Sequence, residues 1–423
     1  MTDAKQRIDA ANREAVGRMI DSLPVWVDIK AAKDVVPGLK PNLILHSGPP
    51  ISWDRMCLPQ RNAVCGAAVY EGLAKTTAEA DKMVAAGDIE IGPCHEHRTV
   101  GSMCGVTSYT MPVFVVRNKT FGNEGYCLIY ENPGREKLSF GAYSDNVRRN
   151  LKWVEEVAAP VLLAGLKQMG GEMNLRAIIA RALTMGDECH SRNYASTATF
   201  AMEIAPHLAA SSCDRKEMAA VLQFIKQSDQ FFLHLTMAAG KAIADAAAGI
   251  EYSSIVTAMA RNGVEVGIRV SGLGDQWFTG PAGRIEGLMF SGFTAEDGQN
   301  DLGDSAITET NGLGAFAHAA SPSLALVKSG HAADGLRFTE EMRAITTAEN
   351  PNFGIPALDS RGTPTGIDIR KVIESGVLPV IDTGIADKQG RGQAGVGNAR
   401  VPMEAFKKAL RAFAERYSAG GSR

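Results

Sequence analysis

The sequence predicts an α+β chain of several domains, two α/β parts with a helical bundle set between them or inserted into one. Three observations predict this. Short β-like segments closed by Gly/Pro turns occupy both ends of the chain. Between about residues 146 and 262 the apolar period becomes 3.6 with little interruption. The 423 residues, 45% of them hydrophobic, suffice for two or three separate cores. The expected division is an N-terminal α/β part at 1–145, a helical part at 146–262 and a C-terminal α/β part at 263–423.

Residues 3–22 place Ile8, Ala11, Val16 and Ile20 on one helix face, and Pro24 to Ile29 follows as a strand. Leu43-Ile44-Leu45 reads as a second strand closed by the turn His46 to Pro50. Helices are expected at 59–72 and 77–86, the latter with Glu79 and Asp81 favouring its positive end. Strands at 112–116 and 126–130 precede a long helix capped by Ser144 and Asp145. The helical run continues over 174–184, 187–204, 214–226, 228–247 and 254–262. Alternation returns at Val264 to Val270 and again in short strands near 352–356 and 378–381. Gly390 to Gly397 reads as a flexible loop, and 402–417 as an amphipathic helix.

Charge excludes some function classes. The 44 Lys+Arg and 47 Asp+Glu give a formal net charge of -3, so no general basic field attracts nucleic acid or an anionic membrane. No stretch has the roughly 18 apolar residues of a spanning helix. The seven cysteines show no paired zinc spacing, and in a chain of this size they read as reduced thiols of a cytoplasmic protein.

Four stretches carry the chemistry. The densest is Met185-Gly186-Asp187-Glu188-Cys189-His190-Ser191-Arg192-Asn193, read as a helix start with Asp187 at the N-cap. If Cys94 to His97 is extended, His95 and His97 share a face, and the following Gly101 to Gly105 loop offers amides to an oxyanion. Ser271-Gly272-Leu273-Gly274-Asp275 lacks the glycine and helix start of a dinucleotide fingerprint. Gly303-Asp304 to Glu309-Thr310 supplies acids and hydroxyls before a helix, and Arg361 and Arg370 are the best local cations for a carboxylate or phosphate, Arg370 reading more as a surface ion pair.

Together with Gly272 to Thr279, Gly303 to Thr310 and Arg361 to Asp368, the Met185–Asn193 stretch resembles the bacterial YlbE/AllG family over roughly residues 40 to 405. Four motifs in order carry the likeness. It implies a subunit of oxamate carbamoyltransferase, the enzyme of purine-ureide (allantoin) catabolism that interconverts oxalurate plus phosphate with oxamate plus carbamoyl phosphate. It also implies a multi-subunit assembly with an FdrA-like partner that resembles an acyl-CoA synthetase. Ser102 and Cys104 stand where the family usually has Pro and Ala.

Carbamoyl transfer needs an anion site, donors for the carbonyl oxygen and a base. His95, His97 and His190 are the candidate proton carriers, with Asp187 or Glu188 orienting the imidazole. Gly101, Gly105, Asn193, Gly272, Gly274, Asp275, Asp304, Glu309, Thr310 and Arg361 are the candidate substrate-binding residues. No cofactor is required by this reading. The alternatives are a ureide or amide hydrolase with metal-bound water held by His95, His97, Asp187 and His190, or a ligand-holding subunit inert by itself. A homodimer is the expected self-association.

Overall fold

The computed structural model describes residues 2–418 and shows an α+β fold with five sheets among them. The helix Thr2–Asp21 leads into the strand Pro24–Ala31. That strand sits inside a five-stranded sheet, between Pro112–Asn118 and Met173–Asn174, with Glu124–Leu128 and Thr99–Val100 completing the far side. Trp26 pairs with Val116, and a bulge follows between Trp26 and Asp28.

Helices cover this sheet. Ala159–Gln168 and Leu175–Thr184 lie against Pro24–Ala31, while Leu233–Ala246 packs on Pro112–Asn118 and Glu124–Leu128. Trp26, Phe114, Phe200, Phe231 and Phe232 are all fully buried in one core, the Trp26 and Phe114 rings meeting edge-on at 5.7 Å. Burying each such ring contributes roughly 1.5–3 kcal/mol. The cores therefore cut across the three stretches read from composition. The first cluster joins Trp26 and Val116 to the helices after residue 146, and also takes in Ile307, Leu313, Phe353 and Ile355.

A second core forms where Val256–Asn262, Glu265–Val270 and Phe278–Pro281 meet the C-terminal helix Met403–Ser418, around Met259, Ile268, Phe316, Met342 and Phe406. Two expectations are corrected in this half. Residues 254–262 form no helix, because Val256–Asn262 is a strand in which every residue is buried. A strand covered on both faces loses the alternation that would distinguish it from a helix. The loop expected at Gly390 to Gly397 is largely the strand Gln393–Arg400, paired antiparallel with Val380–Ala386.

No helix among the described residues is long and apolar enough to cross a membrane. All seven cysteines are free thiols.

Candidate functional site

The helix Leu175–Thr184 ends before Gly186, whose φ of 96° turns the chain, and the next helix begins only at Tyr194. Asp187 to Asn193 is thus a loop, where the sequence predicts the first helical turns. Its acids explain why. Glu188 accepts from the backbone N–H groups of His190 and Arg192, both at 2.6 Å. Asp187 accepts from Ser196 N at 2.8 Å and Ser196 Oγ at 3.0 Å, capping the helix from outside it. Acids that bond nearby amides offer the backbone an alternative to helix. Asn193 donates through Nδ2 to the His190 carbonyl and closes the loop. Asp187, Glu188 and Asn193 therefore build the loop, and neither acid orients His190.

That service falls to Glu309. His190 Nδ1 lies 2.7 and 2.9 Å from the two Glu309 oxygens, so Nδ1 carries the donated proton and Nε2 is the nitrogen left to exchange one. Glu309, on the short helix Ile307–Thr310, also accepts from Asp382 N at 3.0 Å, Ala315 N at 3.1 Å and Thr308 Oγ1 at 2.9 Å. The close approach depends on Gly314. Its φ is 58°, and a Cβ there would stand 2.0 Å from Glu309 Oε1 and 3.1 Å from His190 Cβ.

Beneath this pair lies a second buried cluster. Asp382 accepts from His318 Nε2 at 2.7 Å, from Lys328 Nζ at 2.8 Å and from Asn398 Nδ2. Burial would raise the Asp382 carboxyl, yet His318 and Lys328 together hold it below the usual carboxylate range. Burial pushes Glu188 the other way, well above that range, and the charge on Asp382 adds to the shift. Lys328 Nζ also donates to Ser191 Oγ at 2.7 Å, linking this cluster to the surface of a cleft.

The cleft is narrow, with a cavity volume of about 60 Å³, and His190 and Ser191 form part of its wall. Ser102, Lys137, His234 and Gln393 line it too. His234 donates through Nδ1 to Leu128 O at 2.7 Å, and burial lowers its pKa to about 4, so it stays neutral with Nε2 as an acceptor.

Behind the cleft, Asp304 accepts from Gly48 N at 2.8 Å and Gly101 N at 3.0 Å, and burial pushes its carboxyl up to about 7. The Gly101 amide is therefore committed to Asp304. Gly105 N bonds Ser102 O at 2.9 Å, and a Cβ on Gly101 would fall 2.1 Å from the Gly105 Cα, so these glycines close the loop tightly. Fully buried Arg261 ties this layer to the strand carrying Asp382, reaching Asp301 Oδ1 at 3.0 Å and Thr383 Oγ1 at 3.1 Å.

The remaining candidates lie elsewhere. Cys94–His97 is a 3₁₀ turn, so the extended pairing of His95 and His97 is not formed. His95 is buried 3.8 Å from Asp304, neither ring nitrogen has a hydrogen-bond partner among the described residues, and burial drives its pKa well below the usual value. His97 is half-buried, with Nδ1 on Pro37 O at 2.7 Å. Gly272 is buried against Ser253, while Gly274 and Asp275 are exposed, Asp275 facing Arg269 at 3.2 Å. Thr310 bonds Ala306 O within its own turn. Arg361 is exposed and pairs with Glu349 at 2.5 Å. Among the described residues no three His, Cys, Asp or Glu side chains converge as a metal site, so the four-residue hydrolase set is not assembled.

Sequence reasoning missed Lys137, His318, Lys328 and Asp382. They come from separate segments, and only the fold brings each to this region.

Comparisons with known proteins bear on the family and the fold. The model of the family described as oxamate carbamoyltransferase subunit AllG matches residues 89–305. The chain is 42% identical to the oxamate carbamoyltransferase subunit AllG of Escherichia coli K12, covering 97% of this chain and 98% of that protein. It is 46% identical to the uncharacterized protein YahG of the same organism, covering 97% of this chain and 87% of that one. A crystal structure of a conserved protein of unknown function from Enterococcus faecalis V583 superposes with a TM-score of 0.95 at 45% identity, covering 97% and 99% of the two chains. The chain belongs to the AllG family of oxamate carbamoyltransferase subunits.

Proposed function

We propose that this chain is the subunit bearing the transfer site of a carbamoyltransferase that interconverts oxalurate plus phosphate with oxamate plus carbamoyl phosphate. The observation that carries the reading is the His190–Glu309 pair on the wall of a cleft, in a chain whose relative is named a subunit of that enzyme. In the phosphorolytic direction a phosphate oxygen attacks the terminal carbamoyl carbon of oxalurate, and the bond from that carbon to the inner nitrogen breaks. The departing nitrogen takes a proton and leaves as the amide of oxamate. His190 Nε2 supplies that proton and recovers one in reverse, while Glu309 stabilises the imidazolium. Neutral His234 and the Ser191 hydroxyl position the amide and carbonyl groups.

The Asp382 cluster acts at one remove. By anchoring Lys328 against Ser191, and through the Asp382 N–H that reaches Glu309, it fixes the floor on which His190 stands.

The test is carbamoyl phosphate formation from oxalurate and phosphate, with this chain alone and with partner subunits, including one of the acyl-CoA-synthetase-like type. Turnover in either setting that His190→Gln removes supports the reading. Failure to form carbamoyl phosphate in both settings contradicts it.

A further inference from the structure

We propose that Lys137 and the adjoining Ser102–Met103 segment form a phosphate subsite at one end of the cleft. It would take inorganic phosphate or the phosphoryl end of an acyl phosphate. The inference deepens, and rests on, the reading of the cleft as a carbamoyl-transfer site.

Lys137 is 4% exposed, yet among the described residues it makes no ion pair. Its ammonium donates to Tyr130 Oη at 2.8 Å and stands over the Tyr130 and Phe140 rings at 4.7 and 5.3 Å. The other buried lysines of this region have carboxylates, Lys241 at Asp245 and Lys328 at Asp382. Glu136 adjoins it in sequence but is exposed and forms no ion pair with it. The charge of Glu131 favours the ammonium from beyond ion-pair distance, while the Glu131 oxygens accept from Leu138 N and Ser139 N at 2.6 and 2.7 Å. A cation removed from water with no anion in direct contact is costly, and this one lines the cleft. Burial lowers its pKa to about 8, which leaves it mostly charged at neutral pH.

Across the same cleft wall, the Ser102 and Met103 amides donate to no acceptor among the described residues, and Met103 holds a φ of 51°. Successive amides around a left-handed residue suit an anion. Ser102 adds a hydroxyl, and no arginine lines the cleft among the described residues. Several point donors without a guanidinium fork fit a tetrahedral phosphate better than a planar carboxylate.

The experiment is calorimetric titration of the full-length chain with inorganic phosphate, with freshly dissolved acetyl phosphate as an acyl phosphate longer-lived than carbamoyl phosphate, and with oxamate, backed by circular dichroism. Wild-type protein is expected to bind phosphate, Lys137→Met to weaken it about 10- to 100-fold, and Ser102→Ala about 3- to 10-fold. His190→Gln is expected to leave phosphate affinity unchanged. Acetyl phosphate binding more tightly than phosphate assigns the site to the acyl phosphate, and the reverse to the free ion. Should Lys137→Met fail to fold, Ser102→Ala and Lys137→Arg decide. Unchanged phosphate affinity in the folded variants, no phosphate binding by wild type, or Lys137-dependent binding of oxamate in place of phosphate overturns the subsite. Lys137-dependent phosphate binding without carbamoyl phosphate formation under any condition would keep the subsite and remove the transferase reading. Turnover whose phosphate KM ignores Lys137 would do the opposite.

Discussion

His190 and His95 are both buried beside an acid, and only one is joined to it. Glu309 meets His190 at 2.7 Å, whereas Asp304 stands 3.8 Å from His95 and gives its oxygens to two backbone amides. Glu309 also collects backbone amides, but Gly314 leaves room for the imidazole to come in as well. A carboxylate's role is thus decided by which donors can reach it. Glu309 becomes a partner for proton transfer, and Asp304 a clamp between the Gly48 turn and the loop at Gly101. His95 rests edge-on against Trp277 at 5.7 Å and contributes to packing.

The contrast is sharpest in turnover. Replacing His190 by Gln is expected to lower carbamoyl phosphate formation about 10²- to 10⁴-fold. Replacing His95 by Gln should leave the rate within about threefold and show itself in melting temperature alone. Equal losses in the two variants would erase the distinction.

Stability gives the next largest effect. Asp382→Ala leaves Lys328 buried without its counter-ion and should destabilise the chain by about 3–5 kcal/mol in urea unfolding. Gly314→Ala places a methyl group against Glu309 and forces an unfavourable φ. A loss of about 1–3 kcal/mol is expected, with activity falling further than the same loss of stability caused elsewhere.

A pH dependence distinguishes the two acids further. The Asp304 carboxyl is raised to about 7 by burial, so the folded state keeps a proton that the unfolded chain releases near its ordinary value of 3.8. The folded state binds more protons in that window. Its contribution is complete below about pH 4 and is lost progressively as pH rises to 7. Asp304→Asn should flatten that slope in denaturant titrations run between pH 4 and 8, and an unaltered slope would assign the dependence to another group.

The parts legible in the sequence are those whose signal is local. Thr76 accepts from Glu79 N and Ser144 from Val147 N, so both helix starts fall where the capping residues put them. The amphipathic Thr2–Asp21 helix and the strand Pro24–Ala31 follow from their apolar spacing. The motif Met185 to Asn193 marks the site in sequence, but its helical reading failed because Asp187 and Glu188 bond backbone amides instead of leaving them to a helix. Val256–Asn262 was hidden by burial on both faces. Glu309 was visible as a polar residue of the site, but its role as the partner of His190 was not, since 119 positions separate the two in the chain. Lys137 lies outside every motif and acquires meaning only where Tyr130, Phe140 and the cleft surround it.

The most direct test of the central claim is the kcat of Glu309→Gln for carbamoyl phosphate formation from oxalurate and phosphate, measured with partner subunits present and with folding verified. If the His190–Glu309 pair handles the proton, kcat falls about 10²- to 10³-fold while the KM values for oxalurate and phosphate change little. A kcat within about threefold of wild type would contradict the account.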